Sequence, residues 1–165
     1  MKKIFIAATV AVCLGASGTA YAQQKQTIDG MWQSEYLLIA EQGMRALHAK
    51  DYEKALKKLT ESAKMGNKEA QYYLAQMYFQ GWGVPINYEE GWLWMSVAIE
   101  QRNAEWNLSY RRIKKALPEE YVKALQPYVD EHIALYGAEA QDLRCEKRAA
   151  VGSNIKQIMC EKRTY

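Results

Sequence analysis

The segment that decides the fold occurs twice in the chain. Residues 52–67 read YEKALKKLTESAKMGN, and residues 88–103 read YEEGWLWMSVAIEQRN. Tyrosine, glutamate, a small residue, a serine or alanine and a final asparagine recur at an offset of 36 residues. Two helices of about a dozen residues, together with two short turns, fill such a period. The repetition therefore predicts stacked helix-turn-helix units.

The residues around these segments supply the partner helices. Ala70, Leu74 and Met77 lie on an apolar stripe at helical spacing. Residues 81–85, GWGVP, end that helix because glycine and proline do not sustain helical turns. Pro127 is expected to kink or split the last helix. We predict six helices in three hairpins, over residues 31–49, 52–65, 68–80, 88–101, 104–116 and 119–136.

The pattern resembles the Sel-1-like repeat family, a branch of the tetratricopeptide superfamily. The resemblance is carried by Ala70, Leu74, Met77-Tyr78, Gly81-x-Gly83-Val84, Tyr88, Trp94 and Ala98. Gly91 stands where the family usually has alanine. Residues 37–67 look more like an ordinary tetratricopeptide repeat, and those after Ala104 resemble a degenerate capping repeat. The resemblance implies an all-α, right-handed α-α superhelix that scaffolds or regulates complexes, and it implies no reaction.

The N-terminal residues have the pattern of a secretory signal peptide. Lys2 and Lys3 precede an apolar stretch over residues 4–13, and Ala20-Tyr21-Ala22 offers a cleavage site. We expect residues 1–22 to be removed, which lowers the formal net charge from +3 to +1 because two lysines leave. The repeat domain would then span residues 23–140. Lipidation of Cys13 is the rival interpretation, and Val12 disfavours it because lipoprotein processing needs a small residue there.

The C-terminal residues 141–165 form a basic segment with two cysteines. Cys145 lies seven residues before Gly152, and Cys160 lies seven residues after Ser153. A hairpin that turns at Gly152-Ser153 would place the two cysteines opposite each other, at the Cα separation of ~5.5 Å found in hydrogen-bonded strand pairs. We predict a disulfide-linked β-hairpin; the alternative is a disordered tail. The hairpin would present five cations, which are Lys147, Arg148, Lys156, Lys162 and Arg163.

Motifs for catalysis, for metal binding and for cofactor binding are lacking in the sequence. It contains no Gly-x-Ser-x-Gly, no His-Glu-x-x-His and no phosphate loop. We expect His48 and the pair Glu131-His132 to lie on the surface. Most tryptophans are expected in the core, as in other repeat proteins. Trp82 is an exception because it lies in a turn between two glycines, and we treat it as a candidate contact residue.

The resemblance implies a partner-binding groove, because the first helix of each tetratricopeptide pair lines the concave face. Transferring the family's groove positions gives Ala40, Met44, Leu47, His48, Tyr72, Gln76, Phe79, Leu108, Arg112 and Lys115. The groove would run from apolar to basic, which suits a protein or peptide partner with apolar anchors and an acidic end. Nucleic acid is excluded as a partner by the nearly neutral mature chain. The alternative is that three hairpins are too short to form a groove.

Three functions are compatible with these observations. The first is a non-catalytic protein–protein interaction module, acting as a periplasmic adaptor or regulator in the bacterial cell envelope. The second is a protein that binds or processes the cell wall, with aromatic residues stacked on sugar rings. The third is a secreted factor that acts on a host or a rival cell. The sequence leaves the partner and the oligomeric state open.

Overall fold

Six α-helices form most of the structure, which is a computed structural model that describes residues 27–28, 31–149 and 154–163. They are α1 (Gln33–His48), α2 (Tyr52–Lys64), α3 (Lys68–Gln80), α4 (Tyr88–Ala98), α5 (Ala104–Ala116) and α6 (Glu119–Tyr136). A 3-10 turn, Ile99–Gln101, follows α4. Strands β1 (Thr27–Ile28) and β2 (Met31–Trp32) pair before α1, and β3 (Leu143–Ala149) and β4 (Lys156–Lys162) pair after α6. The predicted all-α repeat fold with a C-terminal β-hairpin is confirmed.

The recurring asparagines of the repeat are helix N-caps. The Asn67 side chain accepts a hydrogen bond from the backbone N–H of Ala70 at 2.9 Å, and Asn103 caps α5 in the same way. Asn87 caps α4, and Asp51 caps α2. Each cap satisfies one of the free N–H groups at a helix start and stabilises the helix by about 1 kcal/mol. The 36-residue period of the repeat is therefore the spacing between two helix N-caps, Asn67 and Asn103.

The core lies between the two closely packed hairpins α1–α2 and α3–α4, and α6 packs against α4. Leu59, Leu74 and Met77 are completely buried. Trp92, Trp94 and Trp106 are also buried, which confirms the predicted role of these tryptophans. Burying side chains of this size contributes about 1.5–3 kcal/mol each, so the tryptophans of α4 and α5 dominate the second half of the core.

Pro127 does not interrupt the last helix. Helix α6 continues from Glu119 to Tyr136 with Pro127 inside it, so of the two predicted effects of this proline, a kink or a split, the split is wrong. Pro127 is exposed, and water can hydrate the carbonyl group that loses its N–H partner. The buried face of the helix, with Leu125 and Val129, remains continuous on either side.

Two small residues mark tight contacts between helices. Ala63 at the end of α2 and Ala98 at the end of α4 have no exposed surface. Replacing Ala98 by Leu is expected to lower the free energy of unfolding by about 1–3 kcal/mol, because a filled core accommodates extra methylenes only with strain. Chemical denaturation measures the loss. The same change at the exposed Ala124 of α6 is the control, and equal stability of both variants would mean that the repeat contact is misplaced.

The C-terminal hairpin has the predicted register but a different pair type. Cys145 pairs with Cys160 and forms the disulfide, with a Cα–Cα distance of 4.0 Å. The backbone N–H of Arg163 donates to the carbonyl of Asp142 at 3.2 Å, which identifies that pair as a hydrogen-bonded one. Because the two pair types alternate along an antiparallel ladder, the cysteines occupy a non-hydrogen-bonded pair. The predicted separation of ~5.5 Å is therefore wrong. Gly152 and Ser153 lie outside the described residues.

The hairpin is docked on the helices. Leu143 is buried, and the Nζ of Lys162 donates to the Oε1 of Gln141 at 3.2 Å. Gln141 packs so close to Gly66 that a Cβ at that position would lie 2.7 Å from the Cβ of Gln141. Gly66 also has a φ of +89°, a conformation that glycine adopts without strain. The turn between α2 and α3 therefore requires glycine in order to receive the C-terminal segment.

Candidate partner-binding cleft

An open, mostly apolar cleft of about 470 Å³ lies between the C-terminal ends of α3 and α5. Its walls come from both helices and from the turn that leads into α4. The lining residues are Gln76, Phe79, Gln80, Ile86, Tyr88, Ile113, Ala116 and Leu117. Ile86 and Tyr88 are more than half exposed, at 57% and 55%. Large apolar side chains that remain this accessible around a concavity are typical of interaction sites.

The turn after α3 places two of these side chains. Gly81 ends α3 in the left-handed conformation, and its N–H donates to the carbonyl of Met77. The chain then folds back until the N–H of Asn87 donates to the carbonyl of Tyr78 at 3.0 Å. As a result, Ile86 lies beside Gly81 at the mouth of the cleft. The Gly-x-Gly turn thus helps to build the cleft wall.

Helix α5 adds a basic rim to the cleft. Its Arg111, Arg112, Lys114 and Lys115 are exposed, and none of them makes an ion pair or a side-chain hydrogen bond with another residue in the described part of the chain. Arg112 lies one helical turn, ~6 Å, before Ala116 of the cleft wall and on the same face. Lys115 points ~100° away from Ala116. Lys114 lies three residues before Leu117 of the cleft wall, so an anionic group beside the cleft would be near Arg112 and Lys114.

The structure brings only part of the predicted groove together. Gln76 and Phe79 line the cleft, and Arg112 borders it. Tyr72 is buried beneath Trp106, with the ring centroids 4.9 Å apart and stacked, so it supports the core. Leu108 and Lys115 are exposed on the outer face of α5.

The groove positions of α1 lie apart from this cleft. Leu47 is buried, and Met44 packs against the core with part of its surface exposed. Ala40 is half-buried, whereas His48 is exposed at the end of the helix, as expected from the sequence. None of the four is among the residues that line the cleft. A binding surface across all three repeats therefore stays a prediction.

Trp82 forms part of an aromatic pair on the surface. Its ring is stacked on that of Tyr52, with centroids 6.1 Å apart and planes 9° from parallel. Trp82 keeps 36% of its surface exposed. The stack fixes the ring at the start of α2, so Trp82 remains a candidate contact residue with a defined orientation.

Six cleft residues escaped the groove pattern transferred from the family. Ile86 and Tyr88 belong to the turn and to the first position of α4. The sequence signal for Ile86 was an apolar residue directly after a proline in a turn, where polar residues are the norm. Three others share one face of α5 through their spacing of three and four residues, and Gln80 is the last residue of α3. The three residues of α5 are Ile113, Ala116 and Leu117.

A buried lysine at the start of α3 was not expected from the sequence. The side chain of Lys68 has no exposed surface, and its Nζ lies 2.7 Å from the Oε2 of Glu100. The same Nζ donates to the Oε1 of Gln71 at 3.1 Å. Burial lowers the pKa of Lys68, and the hydrogen bond and charge of Glu100 oppose that shift. Among the described residues, Glu100 is thus the one carboxylate paired with this ammonium.

The cluster formed by Lys68, Gln71 and Glu100 also binds the C-terminal end of α6. The side-chain N–H of Gln71 donates to the carbonyl of Tyr136 at 2.9 Å, and the backbone N–H of Ala138 donates to Glu100 at 2.9 Å. Carbonyl groups at a helix C-terminus have no partner within the helix. The cluster supplies such a partner and joins α6 to α3 and α4.

His132 is half-buried, contrary to the expected surface position. Its ring makes edge contacts with Trp94 at 5.1 Å and with Tyr136 at 5.4 Å. Burial lowers the pKa of His132, and the charges of Glu90 and Glu131 oppose the shift. The imidazole therefore packs between α4 and α6, where it has a structural role.

The cations of the hairpin are mostly paired within it. Arg148 makes ion pairs with Glu161 at 2.6 Å and with Glu146 at 3.1 Å, and its hydrogen bond to Glu146 lowers the pKa of that carboxyl. Arg163 lies 3.5 Å from Asp142, and Lys162 is buried. Of the five cations that were predicted to form a basic surface, Lys147 and Lys156 are therefore the lysines that remain exposed.

Residues 27–28, 31–149 and 154–163 contain neither a cluster of metal-ligating side chains nor a helix that could span a membrane. No three side chains of the metal-ligating types come together there. In the same residues, no helix has both the length and the hydropathy that crossing a bilayer requires.

Comparison with known proteins supports the fold. No protein-family model and no curated protein matches the sequence. A solved structure, a protective antigen present in uropathogenic Escherichia coli strains and displaying an SLR fold, superposes with a TM-score of 0.57 at 20% sequence identity. The match covers 72% of this chain and 27% of that protein, so the chain spans about a quarter of its length. The chain is therefore folded as a Sel-1-like repeat solenoid.

Proposed function

We propose that this protein is a non-catalytic interaction module that binds a protein partner in the bacterial cell envelope, as a periplasmic adaptor or regulator. The observation that carries the proposal is the apolar cleft between α3 and α5, bordered by Arg112, which has no counter-charge among the described residues. Solenoids of this kind bind partners along surfaces formed by successive helices. Nothing in the cleft resembles a nucleophile with its base, so binding is the function that its chemistry supports.

The cleft suits a peptide segment with apolar and acidic residues. Its volume of about 470 Å³ falls in the range of clefts that receive several side chains. Phe79, Ile86 and Tyr88 would contact the apolar side chains of the partner. Arg112 would attract a carboxylate about one helical turn away and would steer the encounter. The partner segment therefore carries an apolar anchor and an acidic residue close to it.

A predicted signal peptide and the disulfide support the proposed location in the cell envelope. The lysines and the apolar stretch before Ala22 predict a cleaved signal peptide, and the Cys145–Cys160 disulfide is the kind that forms in oxidising compartments. We expect the mature chain to begin at Gln23 and to be recovered from the periplasm. Mass spectrometry of periplasmic extracts measures the N-terminal peptide. An uncut leader, or a lipid on Cys13, would contradict this prediction.

The binding proposal predicts a charge-dependent loss of the partner. Replacing Arg112 and Lys115 by Glu should weaken capture from envelope extracts by more than tenfold, because a repulsive contact replaces the attractive one at Arg112 and the positive field of α5 is lost. Both residues are exposed, so the helical fold is expected to persist. The matched control reverses two other exposed lysines, Lys64 of α2 and Lys123 of α6, neither of which lines the cleft. Capture of the same protein by both variants would remove α5 from the binding surface. Retention on isolated peptidoglycan with no protein partner would favour the cell-wall function.

A further inference from the structure

Gly91 of α4 lies directly against the ring of Phe79. A Cβ at position 91 would be 2.7 Å from both Cδ1 and Cε1 of Phe79, and 3.0 Å from its Cγ. Distances this short exclude a side chain unless the ring moves. Phe79 can occupy its position only because residue 91 lacks a Cβ. The contact thus sets how deeply Phe79 sits between α3 and α4.

The ring of Phe79 also forms part of the cleft wall. It is largely buried, with 9% of its surface exposed, and its exposed part lines the cleft. Tyr88 lies beside it, with the ring centroids 6.5 Å apart. With α4 behind the ring and Tyr88 at its side, the open space next to Phe79 is the cleft itself. A displaced ring would therefore reduce the cleft volume.

We infer that Gly91 determines which apolar side chains the cleft accepts. By leaving room for Phe79, it keeps the cleft deep enough for a large anchor such as Phe, Trp or Leu on an acidic partner peptide. This inference rests on the proposed binding function and adds the size of the anchor to it. Gly91 acts through Phe79 and is a positioning residue. Replacing Gly91 should therefore change which apolar anchors bind before it changes the preference for an acidic residue near the anchor.

The change that tests this inference is Gly91→Ala. Alanine has the highest helix propensity and glycine one of the lowest, so the substitution does not oppose helix formation. Its methyl group would push the Phe79 ring toward the cleft. A pocket that loses the space of about one methylene discriminates between ligands by roughly tenfold or more. Phe79→Leu removes part of the ring and should restore the space in the double variant.

The probe is a displayed library of random peptides of about a dozen residues, selected in parallel on the wild type, on Gly91→Ala and on the double variant Gly91→Ala/Phe79→Leu. We expect the wild type to enrich peptides with a large apolar anchor near an acidic residue. Gly91→Ala should reduce the share of aromatic anchors about tenfold in favour of Val and Ala. The double variant should recover large anchors. Circular dichroism melts establish that all three proteins are folded.

The outcomes separate the inference from the function on which it rests. Identical anchors on the wild type and on Gly91→Ala would overturn the role of Gly91 while leaving the cleft as a binding site. A library without binders, or with peptides that ignore Arg112→Glu, would contradict the proposed function instead. Recovery of large anchors in the double variant supports the inference, because a merely damaged fold would not regain them.

Discussion

Replacing Glu100 by Gln is expected to lower the free energy of unfolding by on the order of 3 kcal/mol at neutral pH. The Lys68 ammonium is completely buried, and Glu100 is the carboxylate that lies within ion-pair distance of it among the described residues. Gln still accepts the hydrogen bond from the backbone N–H of Ala138, so the substitution removes mainly the charge. A buried ammonium without a counter-charge is what makes the loss large.

A second variant tests whether the unpaired charge of Lys68 causes the loss of stability. Adding Lys68→Met to Glu100→Gln removes the stranded charge and keeps the volume of the side chain, so it should recover a large part of the lost stability. Urea denaturation of the two single variants and the double variant gives the coupling energy between the two residues. A double variant as unstable as Glu100→Gln, or a Glu100→Gln variant as stable as the wild type, would show that the ion pair does not hold the structure.

The pH dependence has a definite sign. Because burial lowers the pKa of Lys68, the unfolded chain binds more protons than the folded one in the interval just below the ordinary lysine pKa of about 10.4. Glu100 opposes the shift, so Glu100→Gln lowers the pKa of Lys68 further and the folded variant loses this proton at a lower pH than the wild type. The stability difference between the two proteins should therefore shrink as the pH rises between their two folded-state pKa values. Taking the difference between the two proteins cancels the ionisation of tyrosines that they share.

The helices were predictable because their signals are local. Asn67 and Asn103 cap helices at the same position of each repeat, and the Gly-x-Gly turn ends α3. The tryptophans of α4 were placed in the core because repeat helices bury large residues against their neighbours. The end of α3 and the buried tryptophans needed only a few neighbouring residues and the period of the repeat, and the structure agrees with both predictions, whereas the capping role of the recurring asparagines emerged from the structure.

The parts that could not be predicted depend on contacts between distant residues. Lys68 follows a helix cap, where a lysine is usually solvated, but it is buried, and its Nζ donates to the carbonyl of Tyr136, which lies 68 residues further along the chain. Tyr72 was assigned to the groove, but Trp106 covers it. In the same way, the cleft needed the backfolded turn that places Ile86. A single sequence gives the faces of each helix but not the neighbours that cover them.

Removing the Cys145–Cys160 disulfide should unfold the C-terminal hairpin locally and leave the helices intact. Closing a loop across a separation of 15 residues stabilises it by about 3 kcal/mol, mainly by restricting the open state. A two-stranded hairpin alone is marginal in water. We therefore expect amide hydrogen exchange in β3 and β4 to accelerate by about 100-fold in Cys145→Ser/Cys160→Ser, because 1.4 kcal/mol corresponds to a factor of ten. Exchange in α3 and α4 should not change.

The matched control distinguishes the covalent bond from the ion pairs of the same hairpin. Arg148→Met removes the contacts with Glu146 and Glu161, which are on the surface and exposed to solvent. Exposed ion pairs contribute little, so this variant should keep nearly all of the protection. Leu143 and the contact between Lys162 and Gln141 would still dock the base of the hairpin on the helices. If the serine variant exchanged as slowly as the wild type, that docking and the strand pairing would suffice, and the disulfide would have no structural role.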